Sequence, residues 1–406
     1  MTGGGLIRTV APDNSVMSSI PFNCVSRVGT EMQYIQEAFN RLHICGDGHF
    51  TKKCHHLLEK ELGTLKALLT TSCTHALEMV ALLLNIQPGD EVIVPSFTFV
   101  STVNAFVLRG AKPVFIDIRS DTLNLDERLL ESLITPATKA IICVHYAGVA
   151  CEMNRILRIA ARYRIPVVED NAHGLFGRYR GRALGTLGCL ATQSFHETKN
   201  FSCGEGGALL INDRNLVERA EILREKGTDR SRFFRGQVDK YTWVDLGSSY
   251  LPSDILAAIL YSQLEVRDTI QAKRKVIWER YFKELSRWAA DNEVRLPVVP
   301  AHCEQTFHIF YLLLPNWEVR QALIEHLKQR GILSVFHYVP LHLSQMGRQF
   351  GPSFCPVTER VSDQLLRLPL YSGLTESDQR RVIDAVMEFE VSEFALQRSA
   401  AAFAGR

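Results

Sequence analysis

The chain has 406 residues, 46% of them hydrophobic and 22% charged, with a formal net charge of +2. That length is too great for one simple core and predicts two domains, or one large domain with an appendage. The near-balanced charge gives no nucleic-acid signal, no apolar run approaches the roughly 18 residues of a membrane span, and the first residues lack the apolar stretch of a signal peptide, so a cytoplasmic protein with no nucleic-acid or membrane partner is expected.

Residues 1–19 read as a flexible tail. From about residue 64, short apolar strands alternate with helical stretches. Strands are predicted over 66–70, 91–95, 113–118, 140–146 and 165–170, with a helix over 76–84. These strands are apolar almost throughout rather than alternating. That is the pattern of a parallel sheet covered by helices on both faces, whose carboxyl-end loops form the binding crevice. A strand over 208–212 and a helix over 216–226 follow. Residues 227–250 are polar and rich in Arg, Gly and Tyr, a long loop of the kind that is functional or disordered. One long helix is predicted from 252 to about 285. Beyond 290, strands over 307–313 and 333–338 and helices over 320–330 and 378–391 read as a smaller α+β unit. The predicted division is a large domain over 20–264, a small C-terminal domain over 265–392 and a frayed tail over 393–406. Ten cysteines without Cys-x-x-Cys spacing predict reduced thiols, and thirteen histidines without a helical His-x-x-x-His pair predict no metal site.

The chemistry concentrates near the middle. Ser194-Phe195-His196-Glu197-Thr198-Lys199 runs directly into Asn200-Phe201-Ser202-Cys203-Gly204-Glu205-Gly206-Gly207. A lysine just beyond an apolar strand and just before a glycine-dense turn is placed to react. In open water it is protonated and a poor nucleophile; in a closed pocket it can lose its proton and form a Schiff base. A pyridoxal phosphate site also needs a phosphate cradle, a carboxylate for the pyridine nitrogen, a flat partner for the ring and a contact for the ring hydroxyl. Each has a candidate at a strand's carboxyl end. Thr71-Ser72-Cys73-Thr74 opens a helix and offers hydroxyls and free N–H groups, with Ser194 a further hydroxyl. Asp170 ends an apolar strand, where its charge favours the protonated pyridine. His173 can reach the ring hydroxyl, and Phe99 or Phe97 can lie against the ring. Singly, each has a plain reading as a surface lysine, a helix cap or a core aromatic. Their order along the chain is what points to a cofactor.

In that order the segments resemble the DegT/DnrJ/EryC1/StrS sugar aminotransferases. Ser72-Cys73-Thr74 matches a Ser-x-Thr phosphate turn, Pro95 to Phe99 a Pro-x-x-Thr-aromatic segment, Glu169 to His173 a Glu-Asp-x-Ala-His segment, and Ser194 to Gly207 the lysine and Gly-Glu-Gly-Gly segment. The resemblance implies an α/β fold of the fold-type I, aspartate aminotransferase-like class, with a mostly parallel mixed sheet between helices and a smaller C-terminal α+β domain. It implies pyridoxal 5′-phosphate held by Lys199 and supported by Asp170, and a homodimer with shared active sites, in which Ser249 stands where many members carry the Asn that reaches the partner's cofactor phosphate. Finer stretches, among them His145 to Met153, Phe234 to Trp243 and Val335 to His342, resemble the dTDP-4-amino-4,6-dideoxygalactose transaminases of polysaccharide biosynthesis. They imply dTDP-4-keto-6-deoxyglucose and glutamate as substrates, with His196, Arg235, Tyr250 and His337 as substrate contacts. The basic residues Lys226, Arg230, Arg232, Arg235 and Lys240, set among Phe233, Phe234, Tyr241 and Trp243, are expected to seat the diphosphate and base. The alternatives are another nucleotide-sugar aminotransferase, with a 3-position or gluco product, and a regulator that binds pyridoxal phosphate without turnover.

Overall fold

Aliphatic strands separated by helices assemble into one large sheet within residues 19–391, which the computed structural model describes. The expectations for tails over 1–19 and 393–406 fall, but for Ser19, outside the described residues. In chain order come β1 (Lys66–Thr70), β2 (Glu91–Pro95), β3 (Lys112–Ile116), β4 (Thr138–Val144), β5 (Val167–Asp170), the short pair β6 (Arg178–Tyr179) and β7 (Arg182–Ala183), β8 (Leu190–Ser194) and β9 (Gly207–Ile211). The central sheet has the order β1-β9-β8-β5-β4-β2-β3. All its strands are parallel except β9, which is antiparallel to both β1 and β8.

Both faces are buried, which is why the strands read as continuous apolar runs. Leu68, Leu209 and Ile211 face the layer of the Cys73–Leu83 helix, while Ala67, Leu69 and Leu210 face the layer of the His49–Leu62 and Asp254–Glu265 helices. Each large aliphatic buried this way contributes about 1.5–3 kcal/mol.

The helix expected from 252 to 285 is two helices, Asp254–Glu265 and Arg267–Asp291, broken at Val266. The break has a packing cause. Ala257, Ala258, Leu260 and Leu264 belong to the core of the large sheet, whereas Ile277, Trp278, Tyr281 and Leu285 belong to a second core. One straight helix could not serve both. After β10 (Cys303–Glu304), that second core is built on β11 (Phe310–Leu313), β12 (Val335–Phe336) and β13 (Leu365–Leu368), in the antiparallel order β11-β13-β12. Ile20, far away in sequence, joins it through Ile20 N–H to Gly331 O at 2.7 Å and Leu333 N–H to Ile20 O at 3.0 Å. The loop expected over 227–250 contains one short helix, Arg230–Phe234. All ten cysteines are free thiols. Among the described residues no cluster could hold a metal ion, and no helix is long and apolar enough to cross a membrane.

Candidate active site

Because β1, β2, β5 and β8 run parallel, their carboxyl ends lie along one edge of the sheet. The residues that follow them line a cavity of about 640 Å³, whose other wall comes from the small sheet. At the end of β1 the chain turns at once into the Cys73–Leu83 helix. Ser72 caps it, its Oγ accepting from His75 N–H at 3.1 Å. The first N–H groups of a helix have no partner within it, so those of Cys73 and Thr74 are free to hold an anion. Gly207 permits β9 to pass this turn. A Cβ there would stand 2.3 Å from the Ser72 carbonyl carbon.

Asp170, the last residue of β5, is 5% exposed. One carboxylate oxygen accepts from Thr102 Oγ1 at 2.7 Å, and the other from Ala172 N–H at 3.2 Å. Burial pushes its pKa up, against the pull of these bonds and of Lys199. The neighbouring Glu169 is wholly buried on the other side of the strand. It accepts from the N–H groups of Gly185 at 2.8 Å and of Leu187 and Gly188 at 2.7 Å, and from His145 Nε2 at 2.9 Å. Nδ1 of His145 accepts from Cys151 N–H at 3.2 Å, so the imidazole carries its proton on Nε2 and is neutral, even though Glu169 pulls its basicity upward. This network fixes the end of β5 and thereby Asp170.

Lys199 lies beyond β8 and lines the cavity, its amine without a hydrogen bond among the described residues. Burial lowers its pKa to about 8; the nearby Cys73 and Asp170 oppose the shift, and the positive charge of Arg367 adds to it. About a tenth of the amine is therefore neutral at pH 7. His173 accepts on Nδ1 from Ala147 N–H at 3.3 Å, which places its hydrogen on Nε2. Its ring lies 4.4 Å from that of His308, which bonds Asn200 Oδ1 at 2.8 Å. His337 bonds Tyr146 Oη through Nδ1 at 3.1 Å. Burial holds His173, His308 and His337 well below the usual imidazole range, so all three are neutral. Arg274 pins the wall behind them by donating to the carbonyls of Phe307, His308 and Leu370 at 3.1, 2.6 and 3.2 Å.

Of the residues expected in the site, Ser72, Cys73, Thr74, Phe99, Asp170, His173, Ser194, His196, Lys199 and His337 all line this cavity. Phe97 does not; it is buried against Tyr146 and Tyr338, and the exposed Phe99 is the ring at the cavity. Three expected residues stand elsewhere in the chain. Tyr250 is in the core, its ring 5.3 Å from that of His75, and does not line this cavity. Ser249 is exposed and pairs with Glu225 in an isolated bridge. Arg235 is paired with Glu221 at 2.7 Å. The expected cationic patch is largely neutralised: Arg232 meets Glu218 at 3.2 Å, and Lys226 and Arg230 meet Glu225 at 2.8 and 3.3 Å. The acids recur along the Arg214–Arg224 helix and its cap, so a stripe at helical spacing was the signal to weigh against the loop's charge. Sequence reasoning missed Thr102, His308 and Arg367. A lone arginine inside Leu365-Leu366-Arg367-Leu368 was the readable sign of the last.

The sequence profile of the DegT/DnrJ/EryC1/StrS aminotransferase family matches residues 26–387. This chain belongs to that family. Protein MJ1066 of Methanocaldococcus jannaschii, uncharacterised, is 35% identical over 355 residues, covering 85% of this chain and 91% of its own. The aminotransferase TlmJ of Streptoalloteichus hindustanus superposes with a TM-score of 0.83 at 31% identity, over 91% of this chain and 98% of that one. Spr1654 of Streptococcus pneumoniae in its PLP form superposes with a TM-score of 0.84 at 27% identity, over 92% of this chain and 99% of that one. This DegT-family member is a fold-type I aminotransferase, and its cofactor is pyridoxal 5′-phosphate. The residues present fit that group: a capped helix N-terminus for the phosphate, a buried carboxylate whose donors among the described residues are one hydroxyl and one amide, and a buried amine whose pKa is lowered toward neutrality.

Proposed function

We propose that the enzyme moves an amino group from glutamate to the C4 ketone of dTDP-4-keto-6-deoxyglucose, giving 2-oxoglutarate and a dTDP-4-amino-4,6-dideoxyhexose of galacto configuration for polysaccharide biosynthesis. The observation that carries the reading is the enclosed Lys199 amine, set in one cavity with Asp170 and the Ser72–Thr74 turn. The designation of Spr1654 as a sugar aminotransferase supports a sugar acceptor, and the finer segments around His145, Phe234 and Val335 support the 4-position of a dTDP sugar.

Bound pyridoxal phosphate supplies an electron sink for charge at the donor's α-carbon. The N–H groups of Cys73 and Thr74, with the hydroxyls of Ser72, Thr74 and Ser194, bind the phosphate. Asp170, held by Thr102 and Ala172, keeps a negative charge at the pyridine nitrogen. His173, with its hydrogen on Nε2, and the exposed ring of Phe99 would help hold the cofactor ring in the cavity. Lys199 holds the cofactor at rest. Once released it takes the proton from the donor's α-carbon on Nζ as a base and returns it as an acid.

We further read the working unit as a homodimer. Among the exposed apolar side chains are Met32 and Leu42 in one segment and Phe234, Trp243 and Leu246 in another. The Arg224–Asp47 ion pair at 2.7 Å ties these regions together, and an apolar surface of this kind calls for a cover. Ser249 and Arg235, which do not line their own chain's cavity, would then serve the partner's.

Nuclear magnetic resonance of the product formed from purified enzyme, dTDP-4-keto-6-deoxyglucose and glutamate tests the reading. A small H3–H4 coupling is expected, reporting an axial C4 amine. A large coupling would give the gluco epimer, amination at C3 would give the other regiochemistry, and unconsumed keto sugar would end the assignment.

A further inference from the structure

Asn200, the residue after Lys199, is buried and ties the lysine's segment to the one that leads into β11. Its amide nitrogen donates to Thr306 O at 2.8 Å and to Gln271 Oε1 at 3.1 Å, and its Oδ1 faces Nδ1 of His308 at 2.8 Å. A backbone carbonyl can only accept, so the Thr306 contact fixes which end of the amide is nitrogen. The oxygen at the other end also only accepts, so Nδ1 of His308 carries the hydrogen. Burial keeps this imidazole neutral, which leaves Nε2 a bare lone pair. Nε2 has no hydrogen bond among the described residues, and His308 lines the cavity. His173, its ring 4.4 Å away, is set the other way, with Nδ1 accepting from Ala147 N–H and the hydrogen on Nε2. Thr306 holds both arrangements, its carbonyl taking the Asn200 amide and its Oγ1 donating to His173 O at 2.6 Å. The two neighbouring imidazoles thus offer the cavity one donor and one acceptor.

Lys199 has a use for that acceptor. In the reaction proposed above, Nζ takes a proton from the donor's α-carbon and holds it before returning it. For that interval it is an ammonium with three N–H donors. An ammonium shut away from water is costly unless something accepts from it. Among the described residues the carboxylates lining the cavity are Asp170 and Glu205. Asp170 is engaged with the pyridine nitrogen, and Glu205 stands 3.7 Å from Nε2 of His196. A carboxylate beside the amine would also hold the proton on it and slow its return, whereas a neutral lone pair accepts a hydrogen bond at a smaller cost in basicity. The charge of Lys199 acts on His308 and opposes protonation of the imidazole, so Nε2 receives the hydrogen bond without taking the proton. We propose that Asn200 is a positioning residue that holds His308 in its Nδ1–H tautomer, so that Nε2 accepts from the protonated amine of Lys199. The inference rests on the amino-transfer reading above.

Neutron diffraction from crystals of the wild-type holoenzyme locates the hydrogen, which X-rays do not show at ordinary resolution. Deuterium is expected on Nδ1 of His308 and none on Nε2. Single-turnover kinetics with glutamate, ordinary and deuterated at the α-carbon, read the consequence. His308→Leu and Asn200→Leu should slow this half-reaction by about 10- to 100-fold, the range of a hydrogen bond to a charged group. The glutamate dissociation constant should stay within about threefold of wild type, and the isotope effect should be undiminished, because the loss falls on proton transfer. His308→Gln places Oε1 near the position of Nε2 and should recover most of the rate lost in His308→Leu. If Asn200→Leu does not fold, the two variants at 308 carry the reading with the neutron map. Deuterium on Nε2, unchanged rates, equal losses in His308→Leu and His308→Gln, or an isotope effect that vanishes in the slowed variants overturns the inference. A wild-type enzyme that exchanges the α-proton of no amino acid would instead refute the donor reading, and the neutron map would still decide the tautomer.

Discussion

Lys199 should cost the apo-protein stability, and replacing it should return that stability. Its amine titrates at about 8 in the fold against 10.5 for an ordinary lysine, chiefly because of burial. The unfolded chain therefore binds more protons than the folded one between those values, and the penalty is fully present below about pH 8. It is relieved as pH rises toward 10.5. The difference between the two values corresponds to about 3 kcal/mol at pH 7. Lys199→Met puts an apolar side chain of similar length in the same enclosed space. At pH 7 the apo variant should be more stable than apo wild type by about 3 kcal/mol, and near pH 10.5 the gap should shrink below about 1 kcal/mol. Urea unfolding followed by tryptophan fluorescence, at one protein concentration and at both pH values, reads this directly. A variant no more stable at pH 7, or a gap equal at the two pH values, would refute a buried and depressed amine.

Three further outcomes follow from the same site. Asp170→Asn should keep the fold and lose most turnover, since a neutral amide no longer holds the ring proton; circular dichroism and single-turnover rates with glutamate check both halves. Thr102→Val deletes the 2.7 Å bond to Asp170 and should lower turnover by about tenfold, as expected for a hydrogen bond to a charged group; an unchanged rate would remove Thr102 from the supporting shell. Lys199→Ala mixed with a variant broken at Ser249 or Arg235 should regain about a quarter of wild-type sites by random pairing of subunits. Full activity of a monomer at high dilution would contradict shared sites.

Much of this arrangement was legible before any coordinates. The strands at 66–70 and 91–95 were readable to the residue because an apolar run bounded by turn residues is unambiguous when both faces are buried. The large-sheet side of the site was readable for the same reason: Ser72, Asp170 and Lys199 follow strand ends, and parallel strands bring their ends to one edge. What was hidden depends on pairing across the chain. The break at Val266 follows from two cores that no local pattern announces. The basic loop looked like an anion site because charge was counted without its partners, Glu218, Glu221 and Glu225 on the preceding helix. On the small-sheet wall His337 was expected, but Arg367, on β13, and His308, two residues before β11, were missed because these strands are short and antiparallel. Their side chains reach the cavity only when β11, β12 and β13 assemble.

The central claim is that Lys199, among all the lysines of the chain, carries the cofactor. Borohydride reduction of the purified holoenzyme, followed by proteolysis and mass spectrometry, tests it most directly. The visible absorbance band should bleach, and a pyridoxyl group should appear on the peptide containing Lys199 and on no other. An adduct on a different lysine, or a cofactor that washes away after reduction, would contradict the account.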